Sequence, residues 1–163
     1  MKTMKIYQAP WGKLLKWSSV ALVILAIVMC GSMSLLYAKI PGWAGFLACW
    51  TLPLIVLACL PFMIRSYAIT EDEILIRRLF WTTRLSRAGL KSAEAIPKAM
   101  SRSLRTCGNG GVLSFTGWYW SKPLGSYRAF VTDLNRTVVL RFEKRTVVVS
   151  PSEPEEFVKE LSA

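Results

Sequence analysis

The sequence predicts an N-terminal pair of membrane-spanning helices followed by a mainly β domain that ends in one α-helix. Three observations carry that expectation. Two uncharged blocks, each long enough to cross a bilayer, lie before residue 65. Short alternating and β-branched runs fill the stretch after it. A change to helical period, with its own start signal, closes the chain.

The first block, Trp17 to Ala38, runs 22 positions without a charge, and the second, Ile40 to Ile64, runs 25. A helix needs roughly 20 apolar residues to span the hydrocarbon core. Spans are therefore expected over 17–38 and 44–64, joined by a short external turn at 39–43 that holds Lys39, Pro41 and Gly42. A cleaved signal peptide fits poorly, because the first block exceeds a usual apolar region and Leu36-Tyr37-Ala38 is a poor cleavage site. Two helices apolar on every side also exceed what a soluble domain of this size can bury. Pro53 is expected to kink the second helix, and Pro61 to lie near its exit. Ser18, Ser19, Ser32, Ser34 and Thr51 are expected to bond back to their own helices. No ionisable side chain falls inside either block, so no proton relay or ion path is expected.

Flanking cations set the orientation. Residues 1–16 form a basic N-terminus with Lys2, Lys5, Lys13 and Lys16 and no acid, and Lys39 stands alone between the blocks. The remaining 16 basic residues begin at Arg65. Both termini are thus expected on the cytoplasmic side, with Trp11, Trp17, Trp43 and Tyr37 at the interfaces. The whole chain has 21 basic and 10 acidic residues, a formal charge of +11, and no histidine. Histidine catalysis and His-ligated metals are excluded outright. Cys30, Cys49 and Cys59 fall in the spans and Cys107 after them, with no metal-ligand spacing and a reducing compartment that disfavours disulfides. Cys107, beside Arg105, reads as a spectator thiol, since no histidine is present to activate it.

Residues 65–163 suffice for one small domain. Strands are expected at Ser66 to Ile69, Glu73 to Leu79, Trp81 to Leu85 and Lys91 to Ile96, with a turn at Thr70-Glu71-Asp72. Arg136 to Phe142 alternates, Glu143-Lys144 forms a tight turn, and Arg145 to Val149 returns. Ser152-Glu153-Pro154-Glu155 has the form of a capping box that starts a helix. Phe157 and Leu161, four apart, are expected to face the sheet.

The order of Tyr67-Ala68-Ile69, Ile74-Leu75-Ile76-Arg77, Ala129-Phe130-Val131-Thr132, Val138-Val139-Leu140 and Val149-Ser150-Pro151 before the closing helix resembles the bacterial pleckstrin-homology-like (PH-like) domains. In that family a terminal Ser-Pro precedes the acidic start of the last helix. The resemblance implies a seven-stranded barrel of two nearly orthogonal sheets capped by the helix, here with an inserted hairpin. It also implies a bacterial cytoplasmic-membrane location and a family of mostly unassigned function.

The insertion is Lys98 to Tyr127. It carries Lys98, Arg102, Arg105 and Lys122 without an acid, interleaved with Phe115, Trp118, Tyr119, Trp120 and Tyr127. Val112 to Phe115 and Trp118 to Trp120 are expected to pair. Two readings stay open. In one, Gly108-Asn109-Gly110-Gly111 is a glycine turn and the aromatics are core. In the other, Lys98, Arg102, Arg105, Lys122, Trp118 and Trp120 meet anionic headgroups or a partner, and the glycine run aims N–H groups at an anion. Nucleotide or nucleic-acid binding is set aside, because no Gly-Lys-Ser/Thr follows the glycines. No catalytic set, metal site or cofactor is expected: Asp72 and Glu73 point to opposite faces of a strand, and Glu153, Glu155 and Glu156 serve the helix start. The expected function is a membrane-anchored interaction module for anionic lipid or a membrane-protein partner, or a homo-oligomer. The alternative is a scaffold or regulatory subunit with no headgroup specificity.

Overall fold

The computed structural model describes residues 4–37 and 42–162. Lys2 and the expected turn residues Lys39 and Pro41 lie outside the described residues. The chain begins with a strand that the sequence pattern did not announce, β1 (Lys5–Gln8), and then enters α1 (Lys13–Tyr37) and α2 (Trp43–Cys59). A 3-10 turn, Leu60–Phe62, ends α2 at Pro61, whose ring and missing N–H favour a break there. Both helices begin earlier than the expected spans, and α2 ends five residues short of Ile64. Pro53 lies inside α2.

Nine more strands and a helix follow: β2 (Ile64–Ile69), β3 (Glu73–Arg78), β4 (Thr82–Ser86), β5 (Leu90–Ala95), β6 (Leu104–Gly110), β7 (Phe115–Ser121), β8 (Gly125–Val131), β9 (Val138–Phe142), β10 (Thr146–Val149) and α3 (Pro154–Ser162). They form two sheets, ordered β1-β2-β3-β4 and β5-β9-β10-β8-β7-β6. The expected seven-stranded barrel is corrected here. No strand is shared between the sheets, so the β domain is an open two-sheet stack. The expected hairpin is also corrected: its first strand is Leu104–Gly110, and Val112 to Ser114 form the turn.

The first core lies between the sheets. Tyr67, Ile69, Ile74, Ile76 and Leu85 meet Phe130, Val138, Leu140, Val147 and Val149, with Phe157 and Leu161 of α3 closing one side. Each large apolar side chain fully buried there contributes about 1.5–3 kcal/mol. The alternation foreseen in Val138 to Phe142 holds, but both faces are used. Val139, Val148, Tyr119, Tyr127, Ala129 and Val131 build a second core on the opposite face of the larger sheet. That face is covered by Met100 and by Leu15 of α1.

Glu153, rather than Ser152, stands at the head of α3: its carbonyl accepts from the Phe157 N–H (2.9 Å), while the Ser152 N–H donates to the Gln8 carbonyl (2.9 Å). The Ser150 of the Ser-Pro pair is wholly buried. Its hydroxyl accepts from the Thr132 N–H (2.8 Å) and the Asp133 N–H (3.2 Å), and the Tyr67 hydroxyl, 3.2 Å away, donates to the Phe130 carbonyl (2.8 Å). The hydroxyls therefore satisfy backbone groups where the chain leaves β8.

Candidate membrane-facing site

The two apolar helices are tied to the β domain at several points. β1 pairs antiparallel with β2 from Lys5↔Ile69 to Gln8↔Ser66, so the strand before α1 and the strand after α2 lie side by side. Lys5 Nζ sits 2.6 Å from Glu156 Oε1 and 3.2 Å from Glu160 Oε2, tying β1 to α3. These carboxylates raise the Lys5 pKa. The Gly12 N–H donates to the Thr132 carbonyl (3.0 Å), and a Cβ at Gly12 would meet Asp133 Oδ1 at 2.7 Å. Leu15, in the first turn of α1, is wholly buried in the second core.

The turn between β6 and β7 docks on the helix roots. Ser18 Oγ donates to the Gly111 carbonyl (2.8 Å), and Ser19 Oγ accepts from the Leu113 N–H (3.2 Å). Ser114 Oγ donates to the Phe62 carbonyl (3.0 Å). Ser19 thus bonds outside its helix, against the sequence expectation, and Ser18 bonds both within and outside it. The glycine run is not itself the turn: Gly108, Asn109 and Gly110 end β6 in register with β7, and only Gly111 lies past the strand. The Gly111 N–H reaches the Ser114 carbonyl (3.2 Å), the Val112 N–H reaches Asn109 Oδ1 (3.0 Å), and the Leu113 N–H is taken by Ser19. Internal partners use the N–H groups that an anion would need.

The six expected contact residues are spread along the hairpin. Leu104 pairs with Trp120 and Gly110 with Phe115. Arg102 and Lys122 therefore flank the end of the hairpin away from the docked turn, at a distance of about 20 Å for a strand of this length. Lys98 and Arg102 are exposed in the β5–β6 connection with φ of 57° and 58°. Arg105 stands opposite Tyr119, and its guanidinium occupies the space a Cβ at Gly110 would take. Tyr119 is core: it stacks on Tyr127 at 6.0 Å, and burial pushes its phenol up to about 12. Trp118 and Trp120 alternate with it and remain 47% and 46% exposed, so they share the outer side with Leu104 and Arg128.

A second group, which sequence reasoning missed, lies beside the exit of α2. The Leu79 N–H donates to the Met63 carbonyl (3.2 Å), which holds the β3–β4 turn against the end of that helix. Phe62 and Trp81 meet edge to face at 5.4 Å, and Phe80 is 72% exposed. The Arg78 guanidinium carbon lies 5.8, 5.4 and 5.2 Å from the ring centroids of Phe62, Trp81 and Phe130. Arg78 is buried, its Nε has no hydrogen-bond partner, and none of the ion pairs among the described residues includes it. Burial, and then the nearby Arg128, lower its pKa. Arg65, Arg77 and Arg78, with Phe80 and Trp81, line an open cleft of about 580 Å³ that contains no acid. The one-dimensional signal is only Arg77-Arg78 followed by Phe80-Trp81, which reads as the end of one strand and the start of the next.

The helices carry apolar side chains outward. Val20, Ile24, Ile27 and Val28 of α1 are all exposed, and the segment Lys13–Ser32, with mean hydropathy 2.1, is long and apolar enough to cross a membrane. Val23, Ile27 and Cys30 share an apolar cleft with Trp50, Pro53 and Leu57 of α2.

No curated protein and no solved structure matches the chain. The family model described as Bacterial PH domain matches residues 65–163. That span begins one residue after the start of β2 and ends after α3, so it contains both sheets except for β1. With more than half of its residues in the match, and with the two-sheet stack, the buried Ser-Pro junction and the closing helix in place, this chain belongs to the bacterial PH domain family.

Proposed function

We propose that the protein is a two-span protein of the bacterial inner membrane, with both termini in the cytoplasm, and that its PH domain is an interaction module held at the inner leaflet to meet anionic headgroups. The observation that carries this reading is the β1–β2 pairing. Strands on either side of the two apolar helices join one sheet, which suits a chain that leaves the domain, crosses the bilayer twice and returns. The outward apolar surface of α1 and the excess of cations outside the helices support it. The domain is fixed to its anchor rather than tethered, since Leu15, Ser18 and Ser19 belong to its packing. One set of aromatics and arginines, at the exit of α2, is therefore presented to the headgroups. PH domains are typically interaction modules, and the reading assigns this one no chemistry of its own.

Cys107 supplies the test, because it is exposed on β6 while the other three cysteines belong to the helices. In carbonate-washed membranes the full chain should stay in the pellet. A membrane-impermeant maleimide should label Cys107 in inverted vesicles and spare it in intact spheroplasts. Release by carbonate, or labelling from outside, refutes the reading. A protein-docking role is favoured by one separate feature. β6 ends the larger sheet, with Leu104, Trp118 and Trp120 exposed beside it, the arrangement that accepts a partner strand. Crosslinking through Cys107 in native membranes tests it: a co-purifying partner supports docking there, and a clean monomer opposes it.

A further inference from the structure

We infer that the uncovered β6–β7 part of the larger sheet, bordered by Arg128, is a docking surface for an acidic amphipathic helix of a partner protein. The inference rests on the protein-docking reading above and names the partner's chemistry. Thr116 pairs with Phe130 and Trp118 with Arg128, so all four share one side of the sheet. By the same register Trp120, Leu104 and Cys107 lie on that side too. Phe130 marks it as the side on which the smaller sheet packs. The inter-sheet core draws on β5, β8, β9 and β10, and no described residue of β6 or β7 enters it. Leu104, Trp118, Trp120 and Cys107 are all exposed. The smaller sheet therefore stops short and leaves a ledge two strands wide. Those two strands have seven residues each, which makes the ledge about 10 Å by 20 Å. One helix of about four turns has these dimensions.

Charge sets the partner's sign. The guanidinium carbon of half-buried Arg128 lies 5.0 Å from the Phe130 ring centroid, and that of Arg78 lies 5.2 Å from the same centroid. Neither arginine belongs to an ion pair among the described residues. The chain has no acid at all between Glu94 and Asp133. Two guanidiniums around one ring repel each other, and a carboxylate on the ledge border compensates both. Arg128 is the one a partner reaches, while Arg78, buried between the sheets, adds only its field. An apolar strip of Leu104, Trp118 and Trp120 with a cation along one border fits a helix that has an apolar stripe and an acidic flank. Tryptophan and arginine are also the residue types that carry most binding energy at protein interfaces.

Geometry separates this occupant from two others. A strand added at the β6 edge would lie three strand spacings, about 14 Å, from β8, out of reach of Arg128. A helix lying across β6 and β7 brings its flank over β8. A lipid surface would meet one end of the ledge only. The β6–β7 turn is docked on the root of α1, and Leu104 and Trp120 stand at the opposite end of the hairpin.

Cys107 lies on the ledge itself, opposite Trp118, and gives the test its handle. The full chain, with its other three cysteines changed to alanine, carries a benzophenone maleimide on Cys107 and is illuminated in native membrane vesicles. The expected adduct joins Cys107 to a segment of another protein with apolar residues at helical spacing and carboxylates along one flank. Made as a synthetic peptide, that segment should bind the full chain in non-ionic detergent. Binding should weaken at least about tenfold after Trp118→Ala or Arg128→Glu. Lys144→Glu, at the exposed β9–β10 turn, should change nothing. Replacing the peptide's flank acids by arginine should restore binding to the Arg128→Glu chain, which an unfolded variant could not show. An adduct with an acid-free or strand-forming segment, or with a second copy of this chain, overturns the inference and leaves protein docking standing. So does a peptide affinity indifferent to Arg128→Glu. No adduct at all overturns the docking reading together with the inference.

Discussion

Gly108 stands directly opposite Gly117 in the β6–β7 ladder, and neither position has room for a side chain. A Cβ at Gly108 would lie 2.3 Å from the Thr116 carbonyl oxygen, and one at Gly117 would lie 2.2 Å from that of Cys107. Both have positive φ, 116° and 140°. The two backbones approach where the hairpin bends past its bulge between Arg105 and Cys107, and glycine alone permits this. Gly108→Ala should therefore destabilise the protein by about 2 kcal/mol or more, through strain and backbone contact. Thermal unfolding of the detergent-solubilised chain measures it. A change within about 0.5 kcal/mol, the usual size for an exposed surface site, would show that the close approach is not maintained.

The root of α1 is part of the domain, which has a consequence for any truncation. Leu15→Ala opens a cavity against Tyr119, Tyr127 and Val148 and should cost about 2–5 kcal/mol. Leu14→Ala, one residue earlier and 60% exposed, leaves that packing alone. A fragment limited to residues 65–163 lacks β1 and Leu15, so it exposes the β2 edge and one face of the larger sheet. It should unfold at lower denaturant than the full chain and self-associate in sedimentation experiments. Equal stability of the fragment and the full chain would remove β1 and Leu15 from the fold's energetics.

Ser150 offers a third test. Its hydroxyl is the acceptor for the Thr132 and Asp133 N–H groups, and all three sit in the buried junction between β8, β10 and α3. Ser150→Ala leaves two buried donors without their partner. Each orphaned group costs about 1–3 kcal/mol, so the loss should exceed that of an ordinary Ser→Ala change. Ser162→Ala, at the exposed end of α3, serves as the reference. Amide exchange at Thr132 and Asp133 should rise in the first variant only.

What the sequence disclosed follows from where a side-chain period exists. Val138 to Phe142 and Thr146 to Val149 alternate or run β-branched, and their strands, the turn between them, and the inward Phe157 and Leu161 were all readable. The strand Lys5–Gln8 was not, because four residues of mixed polarity just before a long apolar block read as a basic flank. β6 was not, because Arg105-Thr106-Cys107-Gly108-Asn109-Gly110 has no apolar face and is held by backbone pairing alone. The division into two open sheets depends on which strands pair at long range, and no local signal records that. The hairpin cations were visible as a group in sequence but are spread over both ends of the hairpin in space. Arg78 is the reverse case: it reads as the end of a strand, and only the fold brings its head beside the Phe62, Trp81 and Phe130 rings.

The buried phenols make alkaline stability a readout of the inter-sheet packing. Tyr67 is wholly enclosed, and burial holds its pKa at about 12; its bonds within the Ser150 cluster oppose that rise only in part. Tyr119 is likewise held at about 12 by burial. In the unfolded chain both titrate near 10. The unfolded state therefore releases these protons first as the pH rises. The stabilisation is complete below pH 10 and is lost between pH 10 and 12, on the order of 3 kcal/mol for Tyr67 from a shift of this size. Unfolding should accelerate in that window, and tyrosinate absorbance should show a late component that coincides with loss of the β-sheet circular dichroism signal. Tyr67→Phe should lower stability at pH 7 by about 1 kcal/mol, for the lost bond to the Phe130 carbonyl, and should flatten the alkaline slope. If all tyrosines titrate together near pH 10 while the sheet signal persists, Tyr67 is not enclosed between the sheets.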